Sequence, residues 1–445
     1  MRAPQDAVNV AAEGTMDEKK KMAKLDLGER VVELPIVLGT EQERAIEISS
    51  LRKETGFITL DEGYRSTGSC RSAITFIDGE RGILRYRGIP IDELGAHSSF
   101  VETAMLLIWG ELPTASNLRE FRALLTEHEM IHEGLYNHYD GFPAQAPPMA
   151  ILSAMINALS CYHPDVMEME SEETLLSAAA RLLSKVRTIA AAAYRASMGR
   201  PINYPNPDNS YSKNFLHMMF SRPFKVHEPV EEAVHALELF FILHADHEQN
   251  CSTSTVRMVA SSGANLFASC AAGVCSLWGW RHGGANVQVI RMLEHIQKNG
   301  IPFGSYLEQV KRKEVRLMGF GHRVYSNYDP RARVLQAAAE RLLKVLSIED
   351  PLLDLARRLE EAALKDQYFA DRRLYPNVDF YSGIILRALS IPLDMFTVMF
   401  AIGRMPGWIA HWKEVHDRPQ EGIARPRQVY TGRNMRSYVP LNERA

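Results

Sequence analysis

The sequence predicts a mainly helical protein of two or more domains, preceded by a small β-rich module at the N-terminus. Three observations carry that expectation. A chain of 445 residues is long enough to bury more than one core. Short β-prone segments separated by Gly-containing turns stop before residue 90, and from Pro90 onward apolar residues recur at helical spacing almost throughout. Apolar content of 46% and charged content of 24% are ordinary globular values, which set aside disorder and fibrous repeats.

Composition also narrows the partners. A net charge of −3 gives no electrostatic case for nucleic acid or an anionic membrane. Five cysteines without a C-x-x-C pair fit reduced thiols in an intracellular protein. The longest apolar run, Leu266 to Trp280, is interrupted by Ser269 and Ser276 and falls short of the ~18–20 residues a membrane helix needs. No secretory signal stands before Lys19, and a targeting peptide is only weakly supported, so a cytoplasmic location is expected.

In chain order, residues 1 to about 28 are polar and expected to be mobile. Val31–Leu34, Phe57–Leu60 and Ala73–Ile77 read as strands, with turns at Asp61-Glu62-Gly63 and Asp78-Gly79. Helices are expected around Ile91–Leu94, Phe100–Ile108, Ala150–Ile156, Leu175–Met198 and Glu231–His247. The Pro-, Asn- and Tyr-rich stretch from Pro201 to Ser212 is a connector, and no repeat of solenoid period is present.

Chemistry concentrates in a few places. In Leu317–Arg331, Gly319 and Gly321 precede His322, so a tight loop should present the imidazole. Asp329-Pro330 reads as an N-cap followed by Pro at the first helical position. Arg331 then falls in the first turn, where a cation opposes the macrodipole unless an anion sits beside it. His244 and His247 are i,i+3 at the end of an apolar helix. Zinc pairs on helices are usually i,i+4, and no third ligand is spaced nearby, so no metal is expected. The two histidines fit a solvated helix end as well as a binding role.

His282 precedes Gly283-Gly284 after a small-residue helix, Ala268–Leu277, so a backbone turn again carries an imidazole; taken alone, a C-cap for the glycines and a core histidine for His282 is the favoured explanation. Asp379 lies near the start of a helix expected over Ile384–Leu389, where burial raises a carboxyl and the helix N-terminus lowers it. Arg404 follows the apolar run Met395–Ile402 and so requires an anionic partner if buried. Arg425 near the C-terminus reads, on its own, as solvated.

Taken together, His247, His282-Gly283-Gly284, Gly319-Phe320-Gly321-His322, Asp329-Pro330-Arg331, Asn377-Val378-Asp379 and Arg404 resemble the citrate synthase family, closest to bacterial-type members with an N-terminal β module. The resemblance runs from about residue 30 to 435. It implies residues 1–60 as N-terminus and β module, a large helical domain over 61–282 and 392–445, and a small one over 283–391 that closes on the substrates. It implies condensation of acetyl-CoA with oxaloacetate, with catalytic His282, His322 and Asp379. Oxaloacetate would be held by His247, Arg331, Arg404 and, across a homodimer or higher oligomer, by Arg425 of the neighbouring subunit. Gly319, Phe320, Gly321 and Asn377 would face CoA, which enters as a substrate thioester, and no further cofactor is implied.

The sequence departs from the family pattern at Ser326, Trp280-Arg281 and Val287, which would border the CoA and acyl sites, and a 2-methylcitrate or alkylcitrate synthase is the nearest rival. Phe224 stands where some relatives carry a cysteine linked to NADH control, so that control is not expected here. Two readings from other classes are a metallohydrolase on His244 and His247 and a helical scaffold without activity.

Overall fold

The computed structural model describes residues 21–169, 171–348 and 350–444. The described residues divide into two compact units, one within 21–71 and 424–444 and one within 72–423. In the first unit Met22–Asp26, Val31–Leu38 and Arg44–Ile46 form a three-stranded antiparallel sheet in that order. Residues 22–26, expected to be mobile, instead pair with the second strand, with Leu25 opposite Val32. The mobility expected of residues 1–20 lies outside the described residues. Phe57–Leu60 forms no strand. Its β-branched and aromatic composition found no neighbouring edge, and β-propensity without a partner specifies little. Val32, Leu34 and Leu51 make a small core for this unit.

The second unit holds a three-stranded antiparallel sheet of Thr75–Asp78, Ile83–Tyr86 and Ile89–Pro90. Helix follows at once from Ile91. The helices begin where the sequence supplies caps. Ser99 and Glu102 make a capping box for Phe100–Trp109, and Ser171 with Thr174 does the same for Glu172–Ser197. The last 26 residues named are buried along most of their length, Ala190 to Ala193 included, so the helix runs through the core of the unit. No helix among the described residues is long and apolar enough to cross a membrane.

Six helices carry the site: Glu231–His244, Cys251–Ala260, Leu266–Trp278, Pro330–Leu346, Val378–Ala388 and Phe396–His416. The second of these had no counterpart in the sequence reading; Asn250 caps it by accepting the Thr253 N–H. The Val378–Ala388 helix starts six residues earlier than expected, because Asn377 caps it through the Asp379 N–H. That places Asp379 in its first turn.

Candidate active site

Two loops are laced together before any side chain is considered. Gly319 and Gly321 both take left-handed backbone, with φ of +79° and +72°, which a side chain would strain. A Cβ at Gly319 would also lie 2.8 Å from Val289 and 2.9 Å from Phe380. The freed main chain pairs with the segment that leads into Asp379. Gly321 N donates to Tyr375 O at 2.8 Å and Asn377 N to Gly319 O at 2.9 Å. Asn377 Nδ2 donates to Gly321 O at 2.8 Å while its Oδ1 accepts the Asp379 N–H at 3.0 Å. The Asn377 amide, expected near CoA, is thus spent on the main chain of both loops.

His322 follows directly. Its Nδ1 accepts the Val324 N–H at 3.0 Å and faces the Tyr325 N–H at 3.3 Å. A main-chain N–H can only donate, so Nδ1 carries the lone pair and Nε2 carries the hydrogen. Burial first, then Arg331, pushes the imidazole down to about 4. His322 is therefore a neutral donor at ordinary pH. Its ring packs against Tyr325 and His247, with centroids 4.9 and 5.3 Å away. The Tyr325 hydroxyl lies 3.2 Å from His247 Nε2. Burial and the neighbouring Arg331 hold His247 well below the usual histidine range.

His282 is held in one tautomer in the same way. Its Nε2 accepts the Ser252 N–H at 3.2 Å and lies 2.8 Å from the Ser252 hydroxyl. The hydrogen must then sit on Nδ1, which has no partner among the described residues. Burial, then the charge of Arg404, lowers this imidazole to about 4. Ser252 is anchored in turn by Asn250, whose Oδ1 accepts from its hydroxyl at 2.9 Å.

Asp329 caps the Pro330–Leu346 helix as the sequence indicates, accepting the Arg331 N–H at 3.1 Å. The anion expected beside Arg331 turns out to be internal. Asp329 receives Arg331 Nε at 3.0 Å and Nη2 at 2.9 Å, and both residues are buried. Its Oδ2 also accepts the Val378 N–H at 3.2 Å, which brings the start of the Asp379 helix against the Arg331 helix. A bidentate pair of this kind is strong and leaves one guanidinium edge for a further anion.

Asp379 is half-buried and its carboxylate has no hydrogen-bond partner among the described residues. Burial raises it to about 6, assisted by Asp329 and opposed by Arg331. Arg404 is the complementary case. It is 2% exposed, its Nε donates to His244 O at 2.7 Å, its guanidinium lies 4.9 Å over the Phe400 ring, and its two Nη groups have no hydrogen-bond partner among the described residues. His244 Nδ1 lies 2.7 Å from Phe240 O and its ring stacks on Phe240, while its buried Nε2 has no hydrogen-bond partner among the described residues. No group of three His, Cys, Asp or Glu placed to hold a metal occurs among the described residues. Arg425 is exposed and belongs to the first unit; the geometry here is that of the second.

Sequence reasoning missed Ser252 and Tyr325. Tyr325 stood inside the loop motif and could have been found from it; Ser252 had no local signal. Of the residues that depart from the family pattern, Trp280 is 78% exposed with Arg281 4.9 Å over its ring, and Ser326 N donates to Gly79 O at 2.9 Å.

Comparison with known proteins points one way. A family model, citrate synthase, C-terminal domain, matches residues 63–427. The chain is 50% identical over 416 residues to citrate synthase 1 of Mycobacterium tuberculosis, covering 93% of this chain and 96% of that one. Among solved structures, a Pyrobaculum aerophilum citrate synthase matches with a TM-score of 0.79 and 33% identity, covering 92% of this chain and 97% of that one. A Thermoplasma acidophilum citrate synthase, solved as a ternary complex with carboxymethyl coenzyme A and oxaloacetate, matches with a TM-score of 0.77 and 29% identity, covering 87% and 100%.

Proposed function

The chain belongs to the citrate synthase family, and we propose that Asp379, His282 and His322 perform the condensation between them. The enzyme is an acyltransferase that converts the acyl group to alkyl on transfer. It joins acetyl-CoA to oxaloacetate and hydrolyses the thioester, giving citrate and CoA.

The pairing of two forced tautomers with one raised carboxyl carries the assignment of roles. Asp379, raised to about 6, is ionised at neutral pH yet more basic than a free carboxylate, so it would take the methyl proton as the enolate oxygen is stabilised, and no hydrogen-bond partner competes for it. His282 Nδ1–H would donate to the thioester oxygen as negative charge develops there. His322 Nε2–H would donate to the ketone oxygen of oxaloacetate as the new C–C bond forms. Neutral imidazoles suit both steps, since each hydrogen bond strengthens only as charge appears on the oxygen.

Oxaloacetate would fall to Arg404, Arg331 and His247. A buried guanidinium with a free fork is costly, and a substrate carboxylate offsets that cost in bidentate fashion. Arg425 from a neighbouring subunit of a homodimer would complete the dicarboxylate site. CoA would run along Gly319-Phe320-Gly321, with Asn377 holding that loop in shape. Closure of residues 283–391 over 61–282 and 392–445 would exclude water until condensation is done. A cytoplasmic location fits a chain without a membrane-spanning helix among the described residues.

Thiol release with acetyl-, propionyl- and hexanoyl-CoA, each with oxaloacetate, tests this reading. Acetyl-CoA should give the highest kcat/KM. A longer chain winning by about tenfold, ~1.4 kcal/mol, would transfer the assignment to an alkylcitrate synthase; no release with any of them would end it.

A further inference from the structure

The turn from His244 to His247 is gripped by the Phe396–His416 helix. Arg404 Nε donates to His244 O at 2.7 Å, and Gly407 N donates to Ala245 O at 3.1 Å. A Cβ at Gly407 would stand 2.3 Å from Ala245 O and 2.5 Å from Asp246 Oδ1, so this approach admits only glycine. His411, seven residues beyond Arg404 and on the same helix face, places Nε2 3.4 Å from Asp246 Oδ1. Both atoms are buried and neither makes another hydrogen bond, and the Thr75 side chain also stands beside the Asp246 carboxylate.

The surroundings specify how this pair is oriented. Arg257 Nη1 lies 3.2 Å from His411 Nδ1. A guanidinium only donates, so Nδ1 accepts and the His411 hydrogen sits on Nε2, toward Asp246. Arg257 is paired with Glu414 at 2.6 Å, and the other Glu414 oxygen accepts the Ala73 N–H at 2.9 Å. Asp246 Oδ2 accepts the Glu248 N–H at 3.1 Å. The Tyr86 hydroxyl accepts the Asp246 N–H at 3.2 Å and lies 2.9 Å from Asp246 O. Asp246, His411, Arg257 and Glu414 are all buried. Buried ionic groups of this kind seldom repay their desolvation in stability, and an apolar packing would do as well or better. Asp246 is also the strongest charge favouring the cationic form of Arg404, yet its oxygens face His411, Thr75 and Glu248 and leave the Arg404 fork open.

We infer that Asp246 and His411 are positioning residues for oxaloacetate, clamping the 244–247 turn onto the Arg404 helix so that His247 and the free guanidinium address one dicarboxylate. The inference rests on the reading of Arg404 and His247 as oxaloacetate ligands. His411→Leu and His411→Gln separate it from a merely structural role, because a glutamine amide can still donate to Asp246. His411→Leu should raise the oxaloacetate KM by about ten- to hundredfold, with kcat and the acetyl-CoA KM at saturating oxaloacetate within about twofold. His411→Gln should recover most of that loss. If the leucine variant does not fold, His411→Asn, whose shorter amide falls away from Asp246, takes its place in the same contrast. An unchanged oxaloacetate KM in these variants, or equal losses for both substrates that track a lowered melting temperature, overturns the inference. Arg404→Leu tells the two failures apart. If it raises the oxaloacetate KM while His411→Leu does not, only the positioning role falls; if it leaves that KM unchanged, the ligand assignment falls with it.

Discussion

Asn377 Nδ2 donates to Gly321 O at 2.8 Å, tying the residue that caps the Asp379 helix to the residue that precedes His322. One amide thereby sets the spacing between the proposed base and the proposed ketone donor. Asn377→Ala removes an N-cap, which costs about 0.5–2 kcal/mol, and also frees the loop. Thiol-release kinetics should show kcat falling by more than the thermal destabilisation explains, with a smaller loss for Asn377→Asp, which keeps the cap but not the donor.

Activity should have a single acidic limb above pH 5. Asp379 is raised to about 6 by burial and acts as a base only when ionised, so kcat/KM should fall as pH drops through about 6. His282 and His322, both held near 4, stay neutral across that range and add no limb. A profile flat from pH 8 to 5 would count against the base assignment.

The same shift has a consequence for stability. A carboxyl whose folded value lies above its unfolded value of about 3.9 stabilises the fold fully below that unfolded value, and the contribution is lost as pH rises through about 6. Above pH 7 ionised Asp379 is a net cost. Asp379→Asn should therefore melt at a higher temperature than the parent at pH 8 and show little difference at pH 4, while kcat falls about 10²–10⁴-fold.

Arg331 and Arg404 should part company on substitution. Arg331 is half of a buried ion pair with Asp329, and Arg331→Leu leaves that carboxylate uncompensated, a loss of about 3–5 kcal/mol in unfolding free energy. Arg404 has no acidic hydrogen-bond partner among the described residues, so Arg404→Leu should cost less, about the 1–3 kcal/mol of leaving the buried His244 carbonyl unpaired. It should instead weaken oxaloacetate by a charge-assisted pair, about 1.5–3 kcal/mol. Denaturant titration and oxaloacetate KM, measured on both variants, check the contrast.

How much of this the sequence disclosed depended on distance along the chain. The Gly319/Gly321 loop, the Asp329-Pro330 cap and the position of Asp379 near a helix start are local features, and turn and capping chemistry reveals them. The partner of Arg331 was also local, yet the sequence reading left it unnamed. The cap and the cation were treated separately, although one carboxylate two residues upstream serves both. Ser252 and His411 were beyond reach. Ser252 meets His282 across 30 residues and Arg257 meets His411 across 154, and neither contact leaves a periodicity to read. Phe57–Leu60 shows the reverse error, strand propensity without an edge to join.

The central claim is that Asp379, His282 and His322 surround one thioester beside a bound dicarboxylate, and a crystal structure of this enzyme with oxaloacetate and carboxymethyl-CoA would test it most directly. The account predicts the Asp379 carboxylate about 3–3.5 Å from the carboxymethyl group, with His282 Nδ1 facing the carboxymethyl oxygen that stands in for the thioester oxygen and His322 Nε2 facing the oxaloacetate ketone. Asp379 turned away from the carboxymethyl group in that complex, with both imidazoles out of hydrogen-bond reach of the ligands, would contradict it.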